Sequence, residues 1–343
     1  MPLTNILKKR LTKEEPIQCG SSRWAALGMI LSRASLILVV LSADVSAFDL
    51  GLNPQVFKSW GPTAMQRILD SGASIIRVGR HGNLAKENAA IQWAGNHGID
   101  VLLMCGYSRG IPSFLTDPTA FQKYADMCLE DIQTLDKSKA IKYVEVWNEW
   151  SGGLGLPCNY GQPPCNSGAV YTDLLCKVYD TVTRARSDIM IVGGALPGMD
   201  LKFIGKMLDA GAASCMHKFS WHNYMYTRSQ PCQVDYHAAP SVGAAKFSEC
   251  VAKIDALFRQ KTGASMQMII SEGGRTDYDI VSERQRSAEA LTALYKAARD
   301  NPLVDGYFWY TLPRTGKSAD HLGHGMFDAA GNPKPTFTAF QGL

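Results

Sequence analysis

A closed (β/α)8 barrel is the fold class this sequence predicts, and two observations carry that prediction. Past residue 47, eight short apolar runs alternate with amphipathic or polar stretches, and strands that alternate with helices pair in parallel. Residues 48–343 also match the size of one eight-unit barrel, with no compositional break that would mark a second domain. The competing fold, an open doubly wound sheet, normally carries a Gly-rich turn after an early strand. The segment that follows the first run here, GLNPQVF, has no such turn.

In chain order the expected strands are AFDLGL (47–52), SIIRVG (74–79), DVLLMC (100–105), YVEVWN (143–148), IMIVGG (189–194), FSWHNY (219–224), MQMIIS (266–271) and GYFWYT (306–311). Between them, apolar residues recur at spacings of three and four, as one face of a helix requires. Met65, Ile68 and Leu69 form one such face, Val251, Ile254, Leu257 and Phe258 a second, and Leu291, Leu294, Tyr295 and Ala298 a third.

The first 47 residues read differently. Lys8, Lys9, Arg10, Lys13 and Arg23 precede an apolar run from Ala34 to Ala43, and Val45-Ser46-Ala47 follows with small residues. This order is that of a secretory signal cleaved after Ala47, although an uncleaved anchor is the alternative. The run is short of the ~20 residues that span a bilayer. Its removal takes six Lys/Arg and three Asp/Glu with it, so the formal charge falls from +4 to +1. A nearly neutral chain offers no electrostatic attraction to nucleic acid or to an acidic membrane. The expectation is a secreted or periplasmic monomer with no stable membrane partner unless the signal segment is retained.

Nine cysteines become eight once Cys19 leaves, and an even number in an oxidising compartment favours disulfides. Cys158 and Cys165 bracket a Pro- and Gly-rich loop, and Cys232 and Cys250 flank another. Cys105, Cys128 and Cys176 fall on expected strands or helices, where a thiol is equally at home as a small buried side chain. No CxxC pair or regular Cys/His spacing is present, so no structural zinc site is expected.

Barrel enzymes take their reactive groups from the C-terminal ends of the strands. Those ends here carry Arg77, Arg80 and His81 (second run), Asn148 and Glu149 (fourth), His222 and Tyr224 (sixth), Glu272 (seventh) and Trp309 (eighth). Each alone has an ordinary structural reading: a solvated terminus, a salt bridge, a satisfied core histidine, a core indole. Their convergence on one barrel face changes the weighing, because a carboxylic acid directly after apolar sequence is costly unless hydrogen-bonded or functional. Two acids with an amide, an imidazole, a phenol and indoles suit cleavage of a glycosidic bond, one acid protonating the leaving oxygen while the other attacks. Arg77 and Tyr224 suit Glu272 as an anion, and Glu149 beside Trp147 and Trp150 is expected to be the more desolvated acid. Tyr107 and its neighbours Ser108 and Arg109 are expected at the barrel mouth as substrate contacts.

EVWNEW resembles the strand-four motif of clan A glycoside hydrolases, in which Asn-Glu follows an apolar strand, and IISEGG, 123 residues later, resembles their strand-seven nucleophile segment. Arg77, His222, Tyr224 and Trp309 match polar or aromatic positions on strands two, six and eight, and GMFDAAGNPKPTFTAF (325–340) is similar to the segment that closes such barrels. Within the clan the chain looks nearest to the family 39 and family 5 types. The resemblance implies a retaining mechanism without cofactor or metal, with Glu272 as nucleophile, Glu149 as acid/base, Asn148 as donor to a sugar 2-hydroxyl, and a β-linked polysaccharide or oligosaccharide as substrate. Trp150 departs from the pattern, since many relatives carry proline there.

Two other readings remain in play. A barrel that binds carbohydrate or assembles a glycan, or a transglycosylase, would keep the aromatic residues. GYSRG (106–110) has the form of a serine-hydrolase elbow at Ser108, but an elbow needs a helix directly after it, and Ile111-Pro112 leads instead into loop-forming SFLTDP. His321 and His324 lie in a Gly-containing loop with no expected element to fix them.

Overall fold

The structure is a computed structural model that describes residues 48–56, 60–80, 83–106, 117, 119–156, 166–225, 235, 237–278, 280–312 and 323–343. Residues 1–47, on which the expected signal falls, and His81, Tyr107, Ser108, Arg109, Cys158, Cys165, Cys232 and His321 lie outside the described residues.

Eight strands form a closed parallel barrel in sequence order. They are β1 (Asp49–Asn53), β2 (Ile75–Gly79), β3 (Asp100–Cys105), β4 (Ile141–Val146), β5 (Met190–Leu196), β6 (Lys218–Met225), β7 (Met268–Arg275) and β8 (Val304–Tyr310). β1 pairs with both β2 and β8, which closes the ring. The described helices are α1 (Pro62–Ser71), α2 (Leu84–Asn96), α3 (Ala120–Leu135), α4 (Gly168–Ala185), α5 (Leu201–Asp209), α6 (Pro240–Thr262), α7 (Val281–Arg299) and α8 (Pro335–Gln341). The predicted barrel is therefore the observed fold. Among the described residues no helix is long and apolar enough to cross a membrane.

Local chemistry sets the helix ends. Pro62 and Pro240 open α1 and α6, where a missing N–H costs no helical bond. Asn83, Ser167 and Asp200 cap α2, α4 and α5 by accepting from backbone N–H groups three residues on. The inner face of α1 is narrower than the spacing predicts. Ala64, Ile68 and Ser71 form it, while Leu69 is exposed.

Strand alternation divides the apolar residues into two cores. Ile75, Leu102, Tyr143, Val192, Ile269 and Phe308, from six different strands, fill the inside of the barrel as one cluster. The larger cluster lies between strands and helices and contains Val144, Val146, Ile254, Leu291 and Leu294 among many others. A disulfide between Cys176 and Cys215 ties α4 to the short 3-10 turn Ala212–Cys215, so Cys176 is a crosslink. Cys105 and Cys128 are buried free thiols, and Cys250 is disulfide-bonded. Behind the barrel mouth the buried Lys334 ammonium binds both oxygens of Asp277, at 3.1 and 2.9 Å, which holds the segment leading into α8 against the end of β7.

Candidate active site

The inner barrel layer sets which residues reach the mouth. Ile75, Tyr143 and Phe308 belong to that layer, so Arg77, Glu145 and Tyr310, two residues further along their strands, point inward as well. On β6 the inward set is Ser220, His222 and Tyr224. Trp309 falls on the opposite side of β8, buried in the outer core.

β4 ends at Val146 with a change of backbone hand. Trp147 and Glu149 take φ of 69° and 53°, values uncommon for non-glycine residues and costing on the order of 1–3 kcal/mol each. The inversion is anchored on both sides. Trp147 N–H donates to the Tyr124 hydroxyl at 3.2 Å, and Glu149 N–H donates to the Ala195 carbonyl at 2.8 Å. The inversion carries the Trp147 indole out into the shell, where it meets Tyr124 and Trp150 and donates from Nε1 to the Leu154 carbonyl at 2.9 Å. Asn148 and Glu149 are left facing the mouth.

Glu272 sits inside β7 beside irregularities in strand register, between Ile270 and Gly273 on the β8 side and between Ser220 and His222 on the β6 side. Such bulges re-aim side chains, and here Glu272 becomes the register partner of His222. Gly273 follows because a Cβ there would collide with the Tyr307 hydroxyl.

One network joins these groups. Arg77 Nη1 pairs with Glu272 Oε1, its Nη2 donates to Asn148 Oδ1 at 2.7 Å, and its Nε donates to Glu145 Oε2 at 2.7 Å. The Tyr224 hydroxyl donates to Glu272 Oε2 at 2.5 Å. His222 Nδ1 lies 2.8 Å from Glu149 Oε1 and 3.6 Å from Glu272 Oε2. A carboxylate oxygen of each acid and a ring nitrogen of His222 all fall within 4.8 Å of one another.

The two acids differ in their surroundings. Burial pushes the Glu272 carboxyl up, but His222, Arg77 and the Tyr224 hydroxyl together outweigh it and hold it below the usual carboxylate range. Burial likewise pulls the His222 imidazolium down, yet Glu272 and Glu149 raise it on balance. Arg77 loses to burial and gains more from Glu145 and Glu272, so its guanidinium is a permanent cation. The Glu149 side chain is 27% exposed against 11% for Glu272. This corrects the expectation that Glu149 is the more desolvated acid: the inversion at Trp147 sends the indole away and leaves Glu149 open to the cleft. Glu149, His222 and Glu272 have spacing that could hold a metal ion, but a cation among them would face the Arg77 guanidinium across Glu272, and that guanidinium already supplies the positive charge.

The structure thus brings together Arg77, Asn148, Glu149, His222, Tyr224 and Glu272. It does not bring Trp147, Trp150 or Trp309 to the mouth, since all three are buried in the outer core between strands and helices. Trp150 opens the 3-10 turn Trp150–Gly152 and wedges between Trp147 and Tyr171, bracing Glu149 from behind. Tyr310 replaces Trp309 as the inward aromatic of β8, edge-on to Tyr224 and His324. Its signal was legible as alternation from Phe308. His324 is fixed after all, buried, with its carbonyl accepting from Thr311 N–H at 3.4 Å. Glu145, an acid alternating with Val144 and Val146 in an apolar strand, is the other residue the pattern offered and sequence reasoning passed over.

The site and fold together define a class, the (β/α)8 barrels with two opposed glutamates at the mouth. Solved structures that share the fold include glycoside hydrolases. A family 39 glycoside hydrolase from the gut symbiont Bacteroides cellulosilyticus WH2 superposes with a TM-score of 0.60 at 19% identity over 87% of this chain and 63% of its own. The chain therefore spans less than two thirds of that enzyme's length. The family 53 catalytic domain of Ignisphaera aggregans superposes at 0.61, with 15% identity over 88% of this chain and 97% of its own. An endo-β-1,4-glucanase from Xanthomonas axonopodis pv. citri does so at 0.57, with 14% identity over 82% and 89%. No family model and no curated protein matches the sequence.

Proposed function

We propose that this chain is a secreted glycoside hydrolase that cleaves a β-linked polysaccharide or oligosaccharide with retention of configuration. The observation that carries the reading is the Glu149–Glu272 pair. The two carboxyl groups approach within 4.8 Å, which fits the ~5–5.5 Å of retaining enzymes rather than the wider gap that admits a water. The fold likeness to glycosidases of several families supports it.

In this reading an oxygen of Glu272 bonds to the anomeric carbon as the bond from that carbon to the leaving oxygen breaks. Glu149 gives its proton to the leaving oxygen. Water then loses a proton to Glu149, attacks the anomeric carbon and releases Glu272. Arg77 and Tyr224 keep Glu272 ionised and aimed, one on each oxygen. His222 Nδ1, at 2.8 Å, is placed to exchange a proton with Glu149. Because Arg77 occupies Asn148 Oδ1, the amide NH2 is the group left to donate to a sugar hydroxyl.

The test is a screen of β-linked polysaccharides and aryl β-glycosides, with Glu272→Ala and Glu149→Ala as controls and NMR of the first-formed anomer. Turnover with retention, nearly abolished in both variants, is the expected result. Unaltered activity in the variants, or an inverted product, would sink the proposal.

A further inference from the structure

Beneath the two acids lies a third carboxylate that the proposed reaction never touches. Glu145 is fully buried on β4, where a charge persists only if paired and hydrogen-bonded. Its Oε2 accepts from Arg77 Nε at 2.7 Å and lies 2.6 Å from Nη2. Its Oε1 accepts from the Ser220 hydroxyl at 2.9 Å. Ser220 Oγ in turn accepts from Ala195 N–H at 2.8 Å, and the Ala195 carbonyl is the group that receives Glu149 N–H. Glu145 therefore connects to Glu272 through one cation and to the Glu149 backbone through one hydroxyl and one residue, Ala195.

The two connections do different work. Arg77 is a single positive charge between two carboxylates. Its ion pair with Glu145 takes up part of that charge, and Glu272 faces both the guanidinium and a second carboxylate beyond it. The Nε edge of the guanidinium is pinned by Glu145, which aims Nη1 at Glu272 and Nη2 at Asn148. On the other side, Ser220 holds the N–H of Ala195, whose own φ of 45° is in the left-handed region, and so steadies the residue whose carbonyl anchors the inverted Glu149.

We propose that Glu145 is a positioning residue that tempers Arg77 as counter-ion of Glu272 and, through Ser220 and Ala195, holds the backbone of Glu149, so that one buried carboxylate sets up both acids. The proposal rests on the reading of Glu149 and Glu272 as the reacting pair.

The decisive variant is Glu145→Gln, which keeps the shape and deletes the charge. Its amide oxygen still accepts from Arg77. Its NH2 replaces the oxygen that accepted from Ser220, whose hydroxyl has the Gly193 carbonyl at 3.5 Å as its other acceptor. Arg77 is then compensated by Glu272 alone, so the Glu272 anion is held more tightly and reacts more slowly. Two measurements read this. The first is the ionisation midpoint of the Glu272 carboxyl carbon by 13C NMR, assigned from its absence in Glu272→Gln. It is expected to fall by about one pH unit in the Gln variant. The second is turnover: kcat is expected to drop ~10–100-fold with KM within about threefold, and the acid limb of kcat/KM to move to lower pH. Glu145→Asp, which keeps the charge but draws it back by one methylene, should move the midpoint the same way by less, and it serves if the Gln variant does not fold. A purely structural Glu145 would lower the melting temperature and leave the midpoint and the acid limb in place, and that result overturns the proposal. Absence of turnover by the unaltered protein would instead overturn the glycosidase reading, while the NMR midpoint still decides the role of Glu145.

Discussion

The hydroxyl of Tyr224 offers the cleanest single-atom test of how Glu272 is held. Tyr224→Phe removes the 2.5 Å bond to Oε2 and leaves Arg77 on Oε1. Both partners are buried, and a hydrogen bond to a charged group in such a place is worth about 1.5–3 kcal/mol. The bond stabilises the anion rather than the neutral carboxyl or the glycosyl ester, so its loss acts on protonation. At about 1.36 kcal/mol per pH unit, the acid limb of kcat/KM should move up by roughly one to two units. The sign follows from the direction found for Glu272: a group held low by its donors rises when one is removed. Rates at the pH optimum should change less than the limb does, because weaker stabilisation of the anion also leaves a more reactive nucleophile. The assay is the pH dependence of kcat/KM on an aryl glycoside for the unaltered protein and the Phe variant. An unmoved limb, or one displaced to lower pH, would refute the electrostatic account of the site.

Other expectations concern the rest of the site and the scaffold. Tyr310→Ala, which removes the inward aromatic of β8, should raise KM about tenfold, the equivalent of ~1.4 kcal/mol of lost contact. Trp309→Phe should leave KM unchanged and lower stability by about 1–3 kcal/mol through the cavity it opens; a KM effect from Trp309 alone would reverse the assignment. Replacing Cys176 and Cys215 by serine opens a crosslink with a sequence separation of 39, worth about 4 kcal/mol on the chain-entropy relation, or roughly 5–8 °C in a differential scanning experiment. The stability that Glu272 contributes is present above its unfolded value of 4.5 and is lost as pH falls through its lowered folded value. That of His222 is present below its unfolded value of 6.5 and is lost as pH rises through its raised folded value. Both are in force between about 4.5 and 6.5, so Glu272→Gln should flatten the acid side of a stability–pH curve measured in urea, and His222→Gln the alkaline side.

The barrel was legible because its signal is repeated. Eight apolar runs separated by helical spacing each support the same topology, so a slip of two to four residues at the ends of β4 or β7 does not alter the conclusion. Arg77, His222, Tyr224 and Glu272 were legible for a related reason: a polar residue in an otherwise apolar strand has few places to go. The indoles misled because composition records that an aromatic is present but only alternation records which way it faces. Phe308 in the inner layer puts Trp309 outside and Tyr310 inside, and counting by twos along GYFWYT would have chosen the tyrosine. Glu145 was equally open to view between two valines. It was passed over because attention went to the ends of strands, whereas a charge that serves the site can sit one layer below them.

The fourth strand could not have been read by counting. Strict alternation from Tyr143 and Glu145 sends Trp147 inward, Asn148 outward and Glu149 inward. Such a strand would place an indole where Asn148 now meets Arg77. The left-handed turn at Trp147 exchanges the two, and nothing in the local sequence requires it, because tryptophan and glutamate are poor choices for positive φ. What stabilises the turn comes largely from other elements: Tyr124 from α3, Ala195 from β5, and Tyr171 from α4, against which the neighbouring Trp150 ring packs beside Trp147. Trp150, where a proline would meet the resemblance, is in this light a packing solution. A proline would fix φ near −65° and bring no indole to fill the space behind the inverted backbone. The strain at Glu149 is thus held by bulk from outside the barrel, and the Glu149 side chain stays open to the cleft.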